Sequence, residues 1–187
     1  MLTGTYDAFG LLRKSYRNTV EISEFANDIL RHGDFAVYPV EPIIRHGAAV
    51  RVEKQPDATA LLEETVHTIR KWQQDGYETI AVICREEKEA AELAEQLKSY
   101  MEIVDCNPGT TEFGDGVMVL SVAYTKGLEF DAVLLYDPTQ KKYPADNGHV
   151  KLLYVAATRA LHELVVLYHG NLSRILTDPV SKEKKQK

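Results

Sequence analysis

From Thr79 to Cys84 the chain reads TIAVIC, apolar at every position after the first, and segments on either side carry apolar residues at helical spacing. A strand without a polar face is covered on both sides, and sheets covered by helices on both sides are built from parallel strands. Helix and strand signals alternate along the rest of the sequence, which predicts an α/β domain around a mostly parallel sheet.

The predicted order begins with a short strand over 9–13, followed by a helix in which Ile22, Phe25, Ala26 and Ile29 share a face. Asn18 with Glu21 three residues on suits the N-cap of that helix, and Gly33 its stop. An irregular stretch with Pro39 and Pro42 leads to a strand over 49–53. Asp57 then caps a helix with Ala58, Leu61, Leu62, Ile69 and Trp72 on its apolar face, ending at Gly76. After the TIAVIC strand, Glu86 and Glu87 open a helix whose core stripe is Ala90, Leu93, Ala94 and Leu97. A short strand near Ile103, a turn-rich connector over 107–116, strands over 117–122 and 132–136, a helix containing Arg159 and a last strand over 164–168 complete the reading.

Composition narrows the function. With 187 residues, 44% hydrophobic and 27% charged, the chain can bury one sizeable core, so a single domain over 1–176 with a polar tail at 177–187 is expected. The tail, ending SKEKKQK, has no apolar anchor and is expected to be disordered. No run of about 18 apolar residues and no secretory signal is present, which points to a cytoplasmic protein without a membrane segment. Cys84 and Cys106 form no CxxC pair and read as reduced core residues, and the six histidines lack metal-ligand spacing, so no structural metal is expected. A net charge of −6 argues against gripping nucleic acid by bulk electrostatics and confines any such contact to a local patch.

Two neighbouring segments, SVAYTKGLEFDAVLLY (121–136) and LLYVAATRALHEL (152–164), set charged residues inside apolar runs. On a continuous helix Val150, Leu153, Tyr154, Ala157 and Leu161 form one stripe, while Leu152, Val155, Ala156 and Arg159 form a second apolar face holding one arginine. Buried charge is expensive unless paired, so Arg159 is read as aimed at an anion across a domain boundary. In the loop from Tyr124 to Glu129, Lys126 offers a cation, Gly127 permits a tight backbone, and Glu129, wedged between Leu128 and Phe130, suits hydrogen bonding to a sugar diol. Arg13, Lys14, Tyr16 and Arg17 form a basic cluster with one aromatic before a helix N-terminus, an arrangement that can stack a base and reach a phosphate. Gly109 and Gly114 have P-loop spacing, but Asp115-Gly116 follows where lysine and a hydroxyl residue are required, so the match is void.

Taken together these blocks resemble a known family. LRKSYRNTVEISEFANDIL (12–30) looks like motif IV of UvrD/Rep-type superfamily 1 helicases, IAVICREEKEAAELAEQL (80–97) like the strand and helix after it, VMVLSVAYTKGLEFDAVLL like motif V and LLYVAATRALHEL like motif VI. They occur in family order over nearly the whole chain, and the short spacing between blocks is most similar to the HelD type. One departure is Ala123, which stands where UvrD-like helicases usually carry a histidine in motif V.

The resemblance implies a second RecA-like domain, a three-layer sandwich of the P-loop NTPase type lacking its own P-loop, which with an upstream RecA-like domain encloses ATP. It implies that Tyr16 packs on adenine, that Arg17 and Arg159 contact the γ-phosphate as arginine fingers, and that Glu129, with Gly127 beside it, holds the ribose. It places Tyr124, Thr125 and Lys126 near single-stranded DNA, with Thr125 and Lys126 either lying by the strand or transmitting its presence. Magnesium would be held by the upstream domain, so this chain alone would hydrolyse no ATP. The HelD likeness implies a different partner, RNA polymerase, which ATP-driven movement would remodel without unwinding DNA.

Overall fold

The computed structural model describes residues 18–35, 45–106 and 114–177. Its centre is a five-stranded sheet in the order β1-β5-β4-β2-β3, parallel at every pairing. The strands are β1 (Arg51–Gln55), β2 (Thr79–Cys84), β3 (Gly116–Ser121), β4 (Phe130–Tyr136) and β5 (Ala160–His169). Helices α1 (Val20–Leu30) and α4 (Asn147–Ala157) cover one face, and α2 (Ala58–Gln74) and α3 (Glu87–Leu97) the other. This is the RecA-like three-layer arrangement expected from the sequence. The strand read at 9–13, the prolines at 39 and 42, most of the 107–116 connector and nearly all of the 177–187 tail lie outside the described residues.

The TIAVIC segment is β2, flanked by β4 and β3 and buried from Ile80 onward. Its alternate side chains feed two separate cores, Ala81 and Ile83 toward α1 and α4, Ile80 and Val82 toward α2 and α3. Each large aliphatic side chain buried this way contributes about 1.5–3 kcal/mol; the half-polar β1 forms one edge of the sheet, and the apolar β3 forms the other.

Asp57 caps α2 as expected, accepting from the Ala60 N–H. The inward face of α2 is Leu61, Thr65, Val66, Thr68, Ile69 and Trp72, whereas Ala58 is exposed. Thr65 enters the core because its hydroxyl donates to the Leu61 carbonyl, leaving no unmet polar group. The expected strand near Ile103 does not form; one ladder-like bond, Val104 N–H to Val117 O at 2.8 Å, joins that segment to β3. β1 begins two residues later than read, and β5 four residues earlier. Cys84 is buried, whereas Cys106 is only half-buried.

The cap of α1 is a correction with consequences. Thr19, not Asn18, is the N-cap, its hydroxyl accepting from the Ile22 N–H. Glu21 does not complete a capping box either. Its carboxylate meets His46 Nδ1 at 2.9 Å and accepts from the Gly47 N–H at 2.8 Å, and these contacts, His46 first, hold its pKa down at about 2. Gly47 is required by space, since a Cβ there would lie 2.5 Å from Thr19 Cγ2. Thus the 45–50 segment is pressed onto the start of α1 and onto β5, where Arg45 Nη2 donates to the Leu161 carbonyl at 2.6 Å. No helix among the described residues is long and apolar enough to cross a membrane.

Candidate functional site

Parallel strands put all their amino ends at one edge of the sheet. Phe130 and Ala160, the first residues of β4 and β5, are register partners, so Glu129 and Arg159 sit side by side just outside that edge. The Phe130 N–H donates to the Arg159 carbonyl at 2.9 Å. Arg159 Nη1 donates in turn to the Leu128 carbonyl, and Nε to the Val155 carbonyl, each at 3.1 Å. The YTKGLE loop and the arginine are therefore clasped together although 30 residues separate Glu129 from Arg159 in sequence.

Arg159 is not on a helical face, contrary to the stripe read from the sequence. α4 ends at Ala157 with Thr158 as C-cap, and Arg159 occupies the turn into β5. Ala156 accordingly belongs to the core, fully buried with Val150, Leu153 and Ala157, while Leu152, Tyr154 and Val155 are half-buried. Between the pairs Phe130–Ala160 and Ala132–Glu163, β5 spends three steps where β4 spends two. The extra residue, within 161–162 and so just beyond the pair that follows Arg159, makes a bulge of the kind that re-aims side chains beside functional sites.

The loop also departs from expectation. Val122–Thr125 form a short 3-10 helix, η1, which starts at the carboxyl end of β3 and packs against α4. The chain then crosses to the amino end of β4, so Glu129 lies at the opposite sheet edge from the carboxyl ends where α/β folds usually place ligands. Glu129 is exposed and does not sit in apolar surroundings, although Leu128 beside it is half-buried and Phe130 buried. Gly127 has φ of +81° with nothing near a Cβ position, so its requirement is conformational. Thr125 is fully buried, its hydroxyl donating to the Val122 carbonyl, and offers no surface to a nucleic acid strand. Lys126 and Tyr124 are exposed.

Tyr124 stands apart from the Glu129–Arg159 pair. It borders an open cleft of about 260 Å³ between α3 and β3, with Ala91, Ala94, Val104 and Ser121 among its walls. Tyr16 and Arg17 lie outside the described residues. Two features escaped sequence reasoning. Asn18 donates from Nδ2 to the Thr158 and Ala160 carbonyls, on both sides of Arg159. At the carboxyl ends of β2, β4 and β5, Lys142 bonds Glu89 at 2.5 Å and Asp137 at 2.6 Å, and His169 meets Asp137 through its N–H and ring. Burial opposes the Lys142 charge, but the two carboxylates outweigh it and raise its pKa. The only sequence sign of this network is the Asp137-Pro138 step, where Asp137 takes φ of +50°.

A parallel sheet between paired helices, with Glu129 and Arg159 converging at one edge and no P-loop evident, defines a RecA-like lobe. Residues 116–167 match the family model of the UvrD-like helicase C-terminal domain, a stretch that contains both of those residues. The chain is also similar in structure to the C-terminal domain of a possible DNA helicase from Lactobacillus plantarum WCFS1, at 27% identity and a TM-score of 0.72, covering 88% of this chain and 93% of that one. The C-terminal domain of the DEAD-box protein Dbp5 matches at 13% identity and a TM-score of 0.48 over 68% of this chain and 79% of that one, too distant to add to the argument. No curated protein matches. These likenesses reach the UvrD-like level and do not bear on the HelD type or on RNA polymerase.

Proposed function

We propose that this chain is the second of two RecA-like lobes of an ATP-dependent DNA helicase or translocase, and that it supplies half of an ATP site. The observation that carries the reading is the clasp at the amino edge of β4 and β5. Two residues at neighbouring strand starts, one with a half-buried side chain ending in a guanidinium and one with an exposed carboxylate, are held in place by Arg159 Nη1 on the Leu128 carbonyl and the Phe130 N–H on the Arg159 carbonyl. Such a pair fits opposite ends of a nucleotide, the cation a terminal phosphate and the carboxylate a ribose diol.

In this reading Arg159 and Arg17 stabilise charge that develops on the transferred phosphoryl group, Glu129 binds the ribose with Gly127 keeping the backbone tight, and Tyr16 packs on the base. ATP with magnesium supplies the chemistry of phosphoryl transfer when bound, with the metal held by the upstream lobe. Lys126 and Tyr124 face the single-stranded DNA, while buried Thr125 sets the shape of the loop that carries them. Because Leu128 joins this loop to Arg159, a strand pressing on Lys126 and a nucleotide pressing on Arg159 act on one hydrogen-bonded unit.

The purified chain is expected to show no ATP turnover above a denatured control, whereas the protein in which it is joined to a P-loop lobe hydrolyses ATP faster when single-stranded DNA is added. Turnover by the chain alone would overturn the half-site reading. In the joined protein Glu129→Gln is expected to raise KM for ATP by about tenfold, the loss of one charge-assisted hydrogen bond, with kcat nearly kept. An unchanged KM removes Glu129 from the ribose.

A further inference from the structure

We infer that Asn18 is a positioning residue for Arg159, a role that rests on the finger reading above. The turn carrying Arg159 has little regular structure to hold it. α4 ends at Ala157, β5 begins at Ala160, and the bulge follows at once. Across this gap the Arg159 N–H donates to the Ala156 carbonyl at 3.2 Å and its carbonyl accepts from Phe130. The carbonyls on either side, those of Thr158 and Ala160, both accept from Asn18 Nδ2.

An asparagine amide has two N–H donors, and here one amide reaches two carbonyls that bracket a single residue. Together with the Phe130 bond this fixes three successive peptide planes, and so the backbone dihedrals from which the Arg159 side chain projects. The contact spans 140 residues of sequence to Thr158 and 142 to Ala160. Its cost is visible at α1, where Asn18, a strong N-cap residue, leaves capping to Thr19. Asn18 also follows Arg17 directly in sequence.

The test uses the protein joined to its P-loop lobe. Asn18→Ala removes donors and volume, and Asn18→Leu keeps volume but offers no donor. Both are expected to lower kcat about tenfold, a fraction of the roughly hundredfold that a 1 Å misplacement can cost, with KM for ATP changed less than about twofold. Combined with Arg159→Ala, neither should lower kcat further. Exchange of the Phe130 amide should quicken about tenfold in both, with protection of the β2 amides retained as the sign of an intact fold. If Arg159→Ala abolishes turnover while both Asn18 variants keep wild-type kcat and Phe130 exchange, the inference is overturned. If the Asn18 losses multiply with that of Arg159→Ala, Asn18 acts independently and the inference is again overturned. If Phe130 exchange quickens but Arg159→Ala leaves kcat unchanged, the finger reading itself has failed.

Discussion

Arg159→Ala, made in the protein joined to its P-loop lobe, is expected to lower kcat by about 10³ or more, the range typical of arginine fingers, while the dissociation constant for ATP changes only several-fold. The split follows from where the charge acts. A guanidinium that meets the phosphoryl group chiefly as charge develops contributes to the transition state and little to the ground state. Arg159 also donates to the Leu128 and Val155 carbonyls, so alanine there loosens the loop as well. Each of those bonds has a charged donor and contributes about 1.5–3 kcal/mol to stability, while the two cores that hold the lobe together stay intact. Arg159→Lys separates the effects, because lysine keeps the positive charge and loses the planar fork. It is expected to stay closer to the alanine variant than to wild type. A single-turnover rate constant for hydrolysis within twofold of wild type in Arg159→Ala counts against the finger.

The second large effect is on stability. Trp72 is 1% exposed at the carboxyl end of the buried α2 face, and its indole Nε1 donates to Glu163 on β5 at 2.6 Å. Tyr77 donates its hydroxyl to the other oxygen of that carboxylate at 3.2 Å. Removing the indole leaves a large cavity and strips the half-buried Glu163 of its shorter hydrogen bond. Trp72→Ala is therefore expected to cost about 3–5 kcal/mol, lowering Tm by roughly 6–20 °C for a domain of this size. Trp72→Phe keeps most of the volume and loses the donor, and should cost about 1–3 kcal/mol. Thermal unfolding followed by circular dichroism distinguishes them. A Tm for Trp72→Ala within about 2 °C of wild type would mean that the core does not depend on this side chain.

Where one physical signal dominated, the fold was legible in the sequence. β2 was readable because burial on both faces leaves no polar position, and α2 because Asp57 is a strong cap before an unbroken helical stripe. The α4–β5 junction was not. LLYVAATRALHEL contains no Gly or Pro to mark the break, and its apolar spacing continues through Leu161 as though one helix persisted. Pairing of β5 with β4 overrides that periodicity from Ala160 onward. Asn18 failed for a different reason. Two cap-competent residues stand next to each other, and only the tertiary contact with Thr158 and Ala160 decides which one caps. The site was half legible. Charges at Glu129 and Arg159 stood out because they interrupt apolar runs, but their adjacency depends on strand register, which sequence spacing does not encode. Glu129 is exposed where apolar surroundings were expected, and the burial of Thr125 was not legible, since a short 3-10 helix, invisible to both helical and strand periodicity, turns Val122 and Thr125 inward and leaves the loop after it outside.

Where the Arg159 guanidinium goes when nucleotide is bound decides whether this lobe supplies half of an ATP site. A structure of the two-lobe protein with ADP and a fluoroaluminate in place of the γ-phosphoryl group is predicted to show Arg159 and Arg17 both within about 3 Å of its oxygens or fluorines, the distance of a charge-assisted hydrogen bond. Arg159 still held on the Leu128 and Val155 carbonyls and turned away from the nucleotide, or the two arginines on different sides of the lobe, would contradict it.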